Sequence, residues 1–286
     1  MDLECLKEYR AHTFHLIPGL RLKSPEEAVT FVQERGFIYF WPIKDIVLPS
    51  LWAAVAGDRP VADAHDDPGH VSWGWKDSFL GKGAWYYAKV LRKRATIISL
   101  ELAPFFYALS ENYGSPEEDY LTIYEQGRLT LEARTLYEVL LDQGPLDTVA
   151  LRKAARMTSP ESDSRFERAL ADLQADFKIL PVGVTQAGAW RYAFAYDVVH
   201  RHFPDLPERA RPITERQARQ KLAEVYLRSV GAAQVRDLTR LFGWQPRQAQ
   251  HILDTLLETG KIQTGVNITG LPGEWAVLSS LWDSPA

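Results

Sequence analysis

Two stretches of this chain carry the same apolar pattern at an offset of 87 residues, which superposes Leu151 on Leu238, Phe166 on Leu253, Ala169 on Leu256 and Leu170 on Leu257. In the first copy, TLEARTLYEVLLDQ (130–143) reads as a helix, DTVALRKAARM (147–157) as a short second helix and ESDSRFERALADLQADF (161–177) as a third. KILPVGV, the bend TQAGA and WRYAFAY then read as a β-hairpin. In the second copy, TERQARQKLAEVYLRSVG from residue 214, AQVRDLTRLFG (233–243) and PRQAQHILDTLLETG repeat the three helices. KIQTGVN, a turn around Gly270-Leu271-Pro272-Gly273 and EWAVL repeat the hairpin. Helix, short helix, helix and two-stranded wing is the order of a winged helix-turn-helix, present here twice.

The third helices set the functional question. Phe166, Ala169, Leu170, Leu173 and Phe177 fall on one face at helical spacing, as do Ala249, Ile252, Leu253, Leu256 and Leu257. Each helix therefore buries one side and leaves the other in water. The outward face of the first begins with Ser164, Arg165 and Arg168 and ends with Asp172 and Asp176. The second begins with Arg247, Gln248 and His251 and ends with Asp254 and Glu258. The helix dipole favours acids in a first turn, and both copies place cations there. A recognition helix meets DNA through its N-terminal residues, so this polarity points to a polyanionic partner; the alternative is a solvated amphipathic helix.

A chain of 286 residues fits two or three domains of ordinary size. Its formal net charge of −4 excludes a uniformly basic coat and confines any polyanion site to local patches. Cys5 is the sole cysteine, so a disulfide framework and a cysteine-rich zinc site are both excluded. No apolar run is long enough for a membrane span, and MDLECLKEYR does not read as a signal peptide, so a cytoplasmic protein is expected.

Ahead of the repeats, residues 1–23 read as an irregular arm and Ser24-Pro25-Glu26-Glu27 as a helix start, with Ser24 as N-cap and Glu27 at the capping-box position. Residues 58–77 read as a loop. AWYYAKVLRKRATIIS (84–99) reads as a strand that places Lys89, Arg92, Lys93 and Arg94 beside aromatic residues, with Lys82 just before it. Cations among aromatics suit phosphate contact and base stacking; the plain alternative is a strand with one wet basic face. Asp63, His65, Asp66, Asp67 and His70 have metal-ligand chemistry but sit in a Pro/Gly loop without helical ligand spacing, and a solvated turn is the better reading, so no metal is expected. In WGWKDSFLGKG (73–83), Lys76 or Lys82 has the chemistry of an amine nucleophile and Trp73 and Trp75 that of base-stacking platforms; a structural tryptophan clamp is the alternative. No phosphate-binding or dinucleotide glycine motif is present, and no cofactor is expected.

GFIYFWPI (36–43), PLDTVALRKAARM with its following helix, and YDVVHRHFPDLPERARPITERQARQKLAEVYLRSVGAAQVRDLTRLFGW (196–244) resemble the AlkZ/YcaQ-type DNA glycosylases, which excise alkylated and crosslinked bases from a scaffold of tandem winged helices. The resemblance implies a further, divergent winged helix before the two repeats. The expected fold is therefore mainly helical with small β-hairpins (α+β), as three tandem winged helix-turn-helix domains. The expected divisions are an arm at 1–24 and domains at 25–115, 116–206 and 207–286. The resemblance also places the family's two catalytic positions, a Gln and a Gln or Asp, on Tyr39 and Trp41. Neither side chain is a carboxylate or orients water as Gln does. Asp45 is the nearest acid, outside the motif, and the sequence given has no room for the family's C-terminal barrel.

The expected function is binding of bent, branched or damaged DNA, without catalysis, by a chain with no visible dimerisation segment. A divergent glycosylase acting on alkylated or crosslinked bases is the alternative. A transcription regulator and a protein-contact scaffold remain further readings.

Overall fold

The computed structural model describes residues 1–188 and 190–282. Helix α1 (Leu3–Thr13) precedes α2 (Pro25–Arg35), strand β1 (Phe37–Tyr39) and helices α3 (Leu51–Ala56) and α4 (Val71–Ser78). Strands β2 (Tyr86–Ala88) and β3 (Thr96–Ile98) and helices α5 (Ala103–Tyr107) and α6 (Pro116–Glu125) lead to the repeats. The first repeat runs α7 (Leu131–Gln143), β4 (Leu146–Asp147), α8 (Thr148–Ala154), α9 (Asp163–Ala175), β5 (Ile179–Thr185) and β6 (Ala193–Val198). After α10 (Val199–His202) and α11 (Leu206–Ala210), the second runs α12 (Glu215–Val230), β7 (Ala232–Ala233), α13 (Val235–Phe242), α14 (Pro246–Glu258), β8 (Ile262–Asn267) and β9 (Glu274–Leu278), closed by α15 (Ser279–Trp282).

Both repeats thus carry a hairpin after the third helix, and in each a two-residue strand between the first two helices adds to it. The sheets are antiparallel with orders β4-β6-β5 and β7-β9-β8, in which Leu146 pairs with Tyr196 and Ala232 with Val277. Strands β1 and β3 are neighbours in a further sheet. Of the expected bend TQAGA, Ala189 lies outside the described residues.

By contacts the chain forms two compact units: Met1–Trp75 with Ile97–Ser99 and the residues from Glu215 onward, and Lys76–Thr96 with Leu100–Thr214. The second unit is built on Leu136, Leu140, Leu151, Phe166, Leu173, Ile179 and Val198, all fully buried. Helix α7 packs on α9 and β6, and α9 on β5, and each of these side chains contributes about 1.5–3 kcal/mol on burial.

The first unit departs from the sequence reading. Residues 3–13 form a helix and not an irregular arm. Asp2 caps its start, and its buried Leu6 joins Ala232, Val266, Ile268, Trp275 and Val277 in one core. Polar residues dominate this stretch, so its apolar stripe is too thin to show in sequence. The half-buried Arg10 donates to the carbonyls of Val230 (2.8 Å) and Ala232 (3.1 Å), and Tyr9 to that of Arg228 (2.7 Å). Between those carbonyls, Gly231 has φ 74°, and a Cβ there would lie 2.8 Å from the Tyr9 ring. Only glycine allows both the turn and this approach.

Three further expectations change. Helix α4 occupies most of the second half of the 58–77 loop; Gly74 within WGW hides its helical pattern, while the turn residues lie upstream. The 84–99 strand is two short strands around a tight turn at Leu91–Lys93, in which Arg92 and Lys93 both have φ 54°. Thr96 fixes the turn, its hydroxyl accepting from Leu91 N–H (3.1 Å) and donating to Arg94 O (2.8 Å). Leu257, placed on the buried face of α14, is 38 % exposed. The Ser24 cap forms as expected: its hydroxyl accepts from Glu27 N–H (3.2 Å), and the Glu27 carboxylate takes Lys23 N–H (2.7 Å).

Because Leu6 is wholly enclosed, Leu6→Ala is expected to lower stability by about 2–5 kcal/mol. Urea denaturation of the full chain measures this; a midpoint equal to that of the parent would mean that α1 does not belong to the core.

Candidate nucleic-acid interface

On α9, burying Phe166, Ala169, Leu170 and Leu173 turns Ser164, Arg165, Glu167, Arg168 and Asp172 outward. The acids on this face are each met from within the same unit. Arg152 of α8 lies 4.0 Å above the Phe166 ring and pairs with Asp163 (2.6 Å) and Glu167 (3.4 Å). The turn after β2 runs alongside. Lys89 lies 4.0 Å from Glu167, Lys93 pairs with Asp172, and Lys89 N–H donates to Gln174 Oε1 (3.1 Å). Asp176 is half-buried, and this desolvation pushes its carboxyl up, while Lys178 (3.1 Å) draws it back. Lys89 and Lys93 are thus compensating charges. Arg165 is also partnered, by Glu132 at 3.2 Å. Arg92, Arg94 and Arg168 are exposed and form no ion pair among the described residues. The unit therefore gathers a basic turn and a third helix, with the intervening acids neutralised.

In the other unit, α14 exposes Arg247 and His251. Gln248 serves the helix itself: its Oε1 accepts from Gln245 N–H (3.0 Å), closing a capping box. Asp254 accepts from Gln250 (2.8 Å). Arg247 forms no ion pair among the described residues.

The positions that the resemblance assigns to catalysis do not form a catalytic pair. Tyr39 is fully buried, its N–H donating to Pro49 O (3.0 Å). Trp41 is half-buried among rings, with centroids of Phe40, Trp52, Trp73 and His70 at 4.4, 5.3, 5.9 and 6.1 Å. The acid in this cluster, Asp67, is bound by Arg59 (2.5 Å) and by Gly69 N–H (2.7 Å), which hold its carboxyl below the ordinary range. It stays ionised and committed, the opposite of a general acid poised near neutrality. Asp45 is exposed in a left-handed turn at φ 62°, and its carbonyl accepts from Arg240 (2.8 Å). Trp73 is 37 % exposed while Trp75 is buried, so only Trp73 of that pair presents a face to solvent.

Lys82 is exposed. Lys76, the other amine considered as a nucleophile, is 1 % exposed, within 2.7 Å of the Asp77 carboxylate, and donates to the Tyr192 hydroxyl (3.1 Å). Burial lowers its proton affinity, and Asp77 opposes this. Its ammonium is enclosed and committed, so it is a brace between segments. The pairing could not be read from the sequence, since Tyr192 lies 116 residues away.

The folded chain is a helical protein with small antiparallel sheets, and α9, α14 and the turn after β2 each expose basic side chains. The sequence pattern of the AlkZ-related family matches residues 22–243, and the chain belongs to that family. Among solved structures it is similar to Streptomyces sahachiroi DNA glycosylase AlkZ, with 12 % identity and a TM-score of 0.57 over 100 % of this chain and 73 % of that one. No curated protein sequence matches it.

Tyr39→Gln would restore the residue type of the resembling motif but remove a fully enclosed ring and leave a cavity, and is expected to cost about 2–4 kcal/mol. Thermal denaturation of the variant tests this; an unchanged melting temperature would mean the position is open.

Proposed function

We propose that the protein is a DNA-binding chain of three tandem winged helices, at about 25–115, 116–206 and 207–286, that recognises bent, branched or damaged DNA without excising bases. The observation that carries this is the pair of third helices, each with its apolar face buried and exposed arginine at its start: Arg165 and Arg168 on α9, Arg247 on α14. The matching sheet orders of the two repeats and the adjacency of β1 and β3 support the tandem arrangement. The turn cations Arg92 and Arg94 extend the α9 surface, with Ser164 as a hydroxyl donor. Lys82, Lys89, Lys93, Gln248 and His251 hold secondary roles, because pairing or capping engages several of them.

Family membership favours a second reading, base excision. Against it stand the buried Tyr39, the aromatic surroundings of Trp41 and the committed Asp67. Incubation with duplex carrying alkylated bases is expected to yield no enzyme-dependent abasic sites. Release of free base by a highly purified preparation would select the glycosylase reading, and its loss in Asp45→Asn would name the acid.

The binding reading predicts a steep response to salt. Each phosphate contact contributes about −0.9 to the slope of log affinity against log salt. Arg168→Ala with Arg247→Ala is expected to reduce that slope by about two, with little change in melting temperature because both side chains are exposed. Fluorescence anisotropy with duplex, single strand, fork and four-way junction at several salt concentrations measures it. An unchanged slope on every DNA would remove these helices from the interface.

A further inference from the structure

The hairpin of the first repeat carries Trp190, which is 89 % exposed; the next most exposed large apolar residue described, Leu131, is at 60 %. Arg191 follows it, exposed and in a left-handed conformation at φ 51°. Tyr192 then turns back to the protein. Its hydroxyl donates to Asp77 (3.0 Å) and receives the buried Lys76 ammonium (3.1 Å), which also lies 4.5 Å from the Phe194 ring centroid and 5.3 Å from that of Tyr87. A buried ion pair thus fixes the hairpin two residues from the exposed indole. On the same hairpin, a Cβ on Gly81 would lie 2.6 Å from Val182 O, so the turn bearing Lys82 runs against β5. Val184 (42 %) and Val149 (50 %) are also exposed, and Val149 lies 4.0 Å from the Cβ position of Gly188. The segment QAGAWRY (186–192) contains no acid.

An exposed aromatic face, followed directly by a cation and with no acid in its loop, matches a nucleobase joined to phosphates. Bases inside B-form duplex have both faces covered, so the ligand must offer an unstacked one. We propose that Trp190 stacks on an unpaired base at a bulge or fork, with Arg191 and Lys82 against the neighbouring phosphates and the Lys76–Asp77–Tyr192 brace holding the hairpin in place. This rests on the DNA-binding reading and names the DNA feature that is read.

The test compares a blunt duplex with the same duplex carrying one bulged 2-aminopurine, for the full-length parent, Trp190→Ala, Trp190→Tyr, Tyr192→Phe and the Arg168→Ala/Arg247→Ala double variant. Loss of one base stack is expected to weaken Trp190→Ala roughly tenfold on bulged DNA, and less than about twofold on blunt duplex. It also abolishes the parent's quenching of 2-aminopurine. Trp190→Tyr keeps most of both signals, and Tyr192→Phe, which removes the hydroxyl link to Asp77, gives an intermediate loss. The exposure of Trp190 keeps the melting temperature unchanged. Equal loss on both DNAs, or no loss on either, overturns the inference. If Trp190→Ala changes nothing while the double variant loses affinity on both DNAs, the DNA-binding reading stands and this inference falls. If the parent binds neither DNA, both fall. If Trp190→Ala instead converts a sedimenting dimer to monomer, the indole is a contact between copies and the inference is overturned.

Discussion

The Arg10 guanidinium closes the first compact unit. It takes the carbonyls of Val230 and Ala232 at the end of α12, where the chain must turn through Gly231 and where the Tyr9 and Leu6 side chains leave no room for a Cβ. The Val230 carbonyl would otherwise be orphaned at a buried helix end, at a cost comparable to a lost hydrogen bond. Burial lowers the proton affinity of Arg10, but a guanidinium remains charged throughout the accessible pH range. The contact fixes α1 on α12, and α12 in turn packs beside α14. The direction in which α14 presents Arg247 and His251 therefore depends on a residue near the opposite end of the sequence.

Much of the fold was legible because it repeats. The 87-residue offset located the three helices and the hairpin of each copy, and the apolar spacing named the buried face of α9 down to Phe166 and Leu173. Leu257 failed because a helix face is continuous and its edge residue can fall to either side. Helix α1 was missed because six of its eleven residues are charged or polar and its burial comes from a segment more than 200 residues away. The basic stretch at 89–94 misled in another way. β-Branched and aromatic residues argued for one strand, and nothing local announces two consecutive left-handed residues in a pair as ordinary as Arg92-Lys93. That conformation costs of order 1–3 kcal/mol per residue and persists only where the surroundings over-determine it, here through Thr96.

The candidate site was legible as residue types and not as partnerships. Sequence alone gave α9 cations at its start and acids at its end. The folded chain adds that the acids are answered by Arg152, Lys89 and Lys93, which separates cations that neutralise from cations that face outward. Likewise, the aromatic density of WGWKD was visible, yet only the fold tells an exposed Trp73 from a buried Trp75, and makes Lys76 a brace and not a nucleophile. A net charge of −4 is thereby compatible with a local anion-seeking face.

The division of the first unit has a consequence for how the chain is made. Met1–Trp75 is completed by the residues from Glu215 onward, while nearly everything between belongs to the other unit. At synthesis rates of about 5–20 residues per second, the leading segment waits on the order of ten seconds for its partners to leave the ribosome. During that interval Leu6 lacks Val266, Trp275 and Val277, and Phe37 lacks Phe242, whereas the other unit already holds almost all of its own contacts. Closing so long a loop adds little to the equilibrium cost, since each doubling of length costs only about 0.6 kcal/mol. The burden falls on the nascent chain, in which Leu6 and Phe37 precede by more than 200 residues the side chains that cover them.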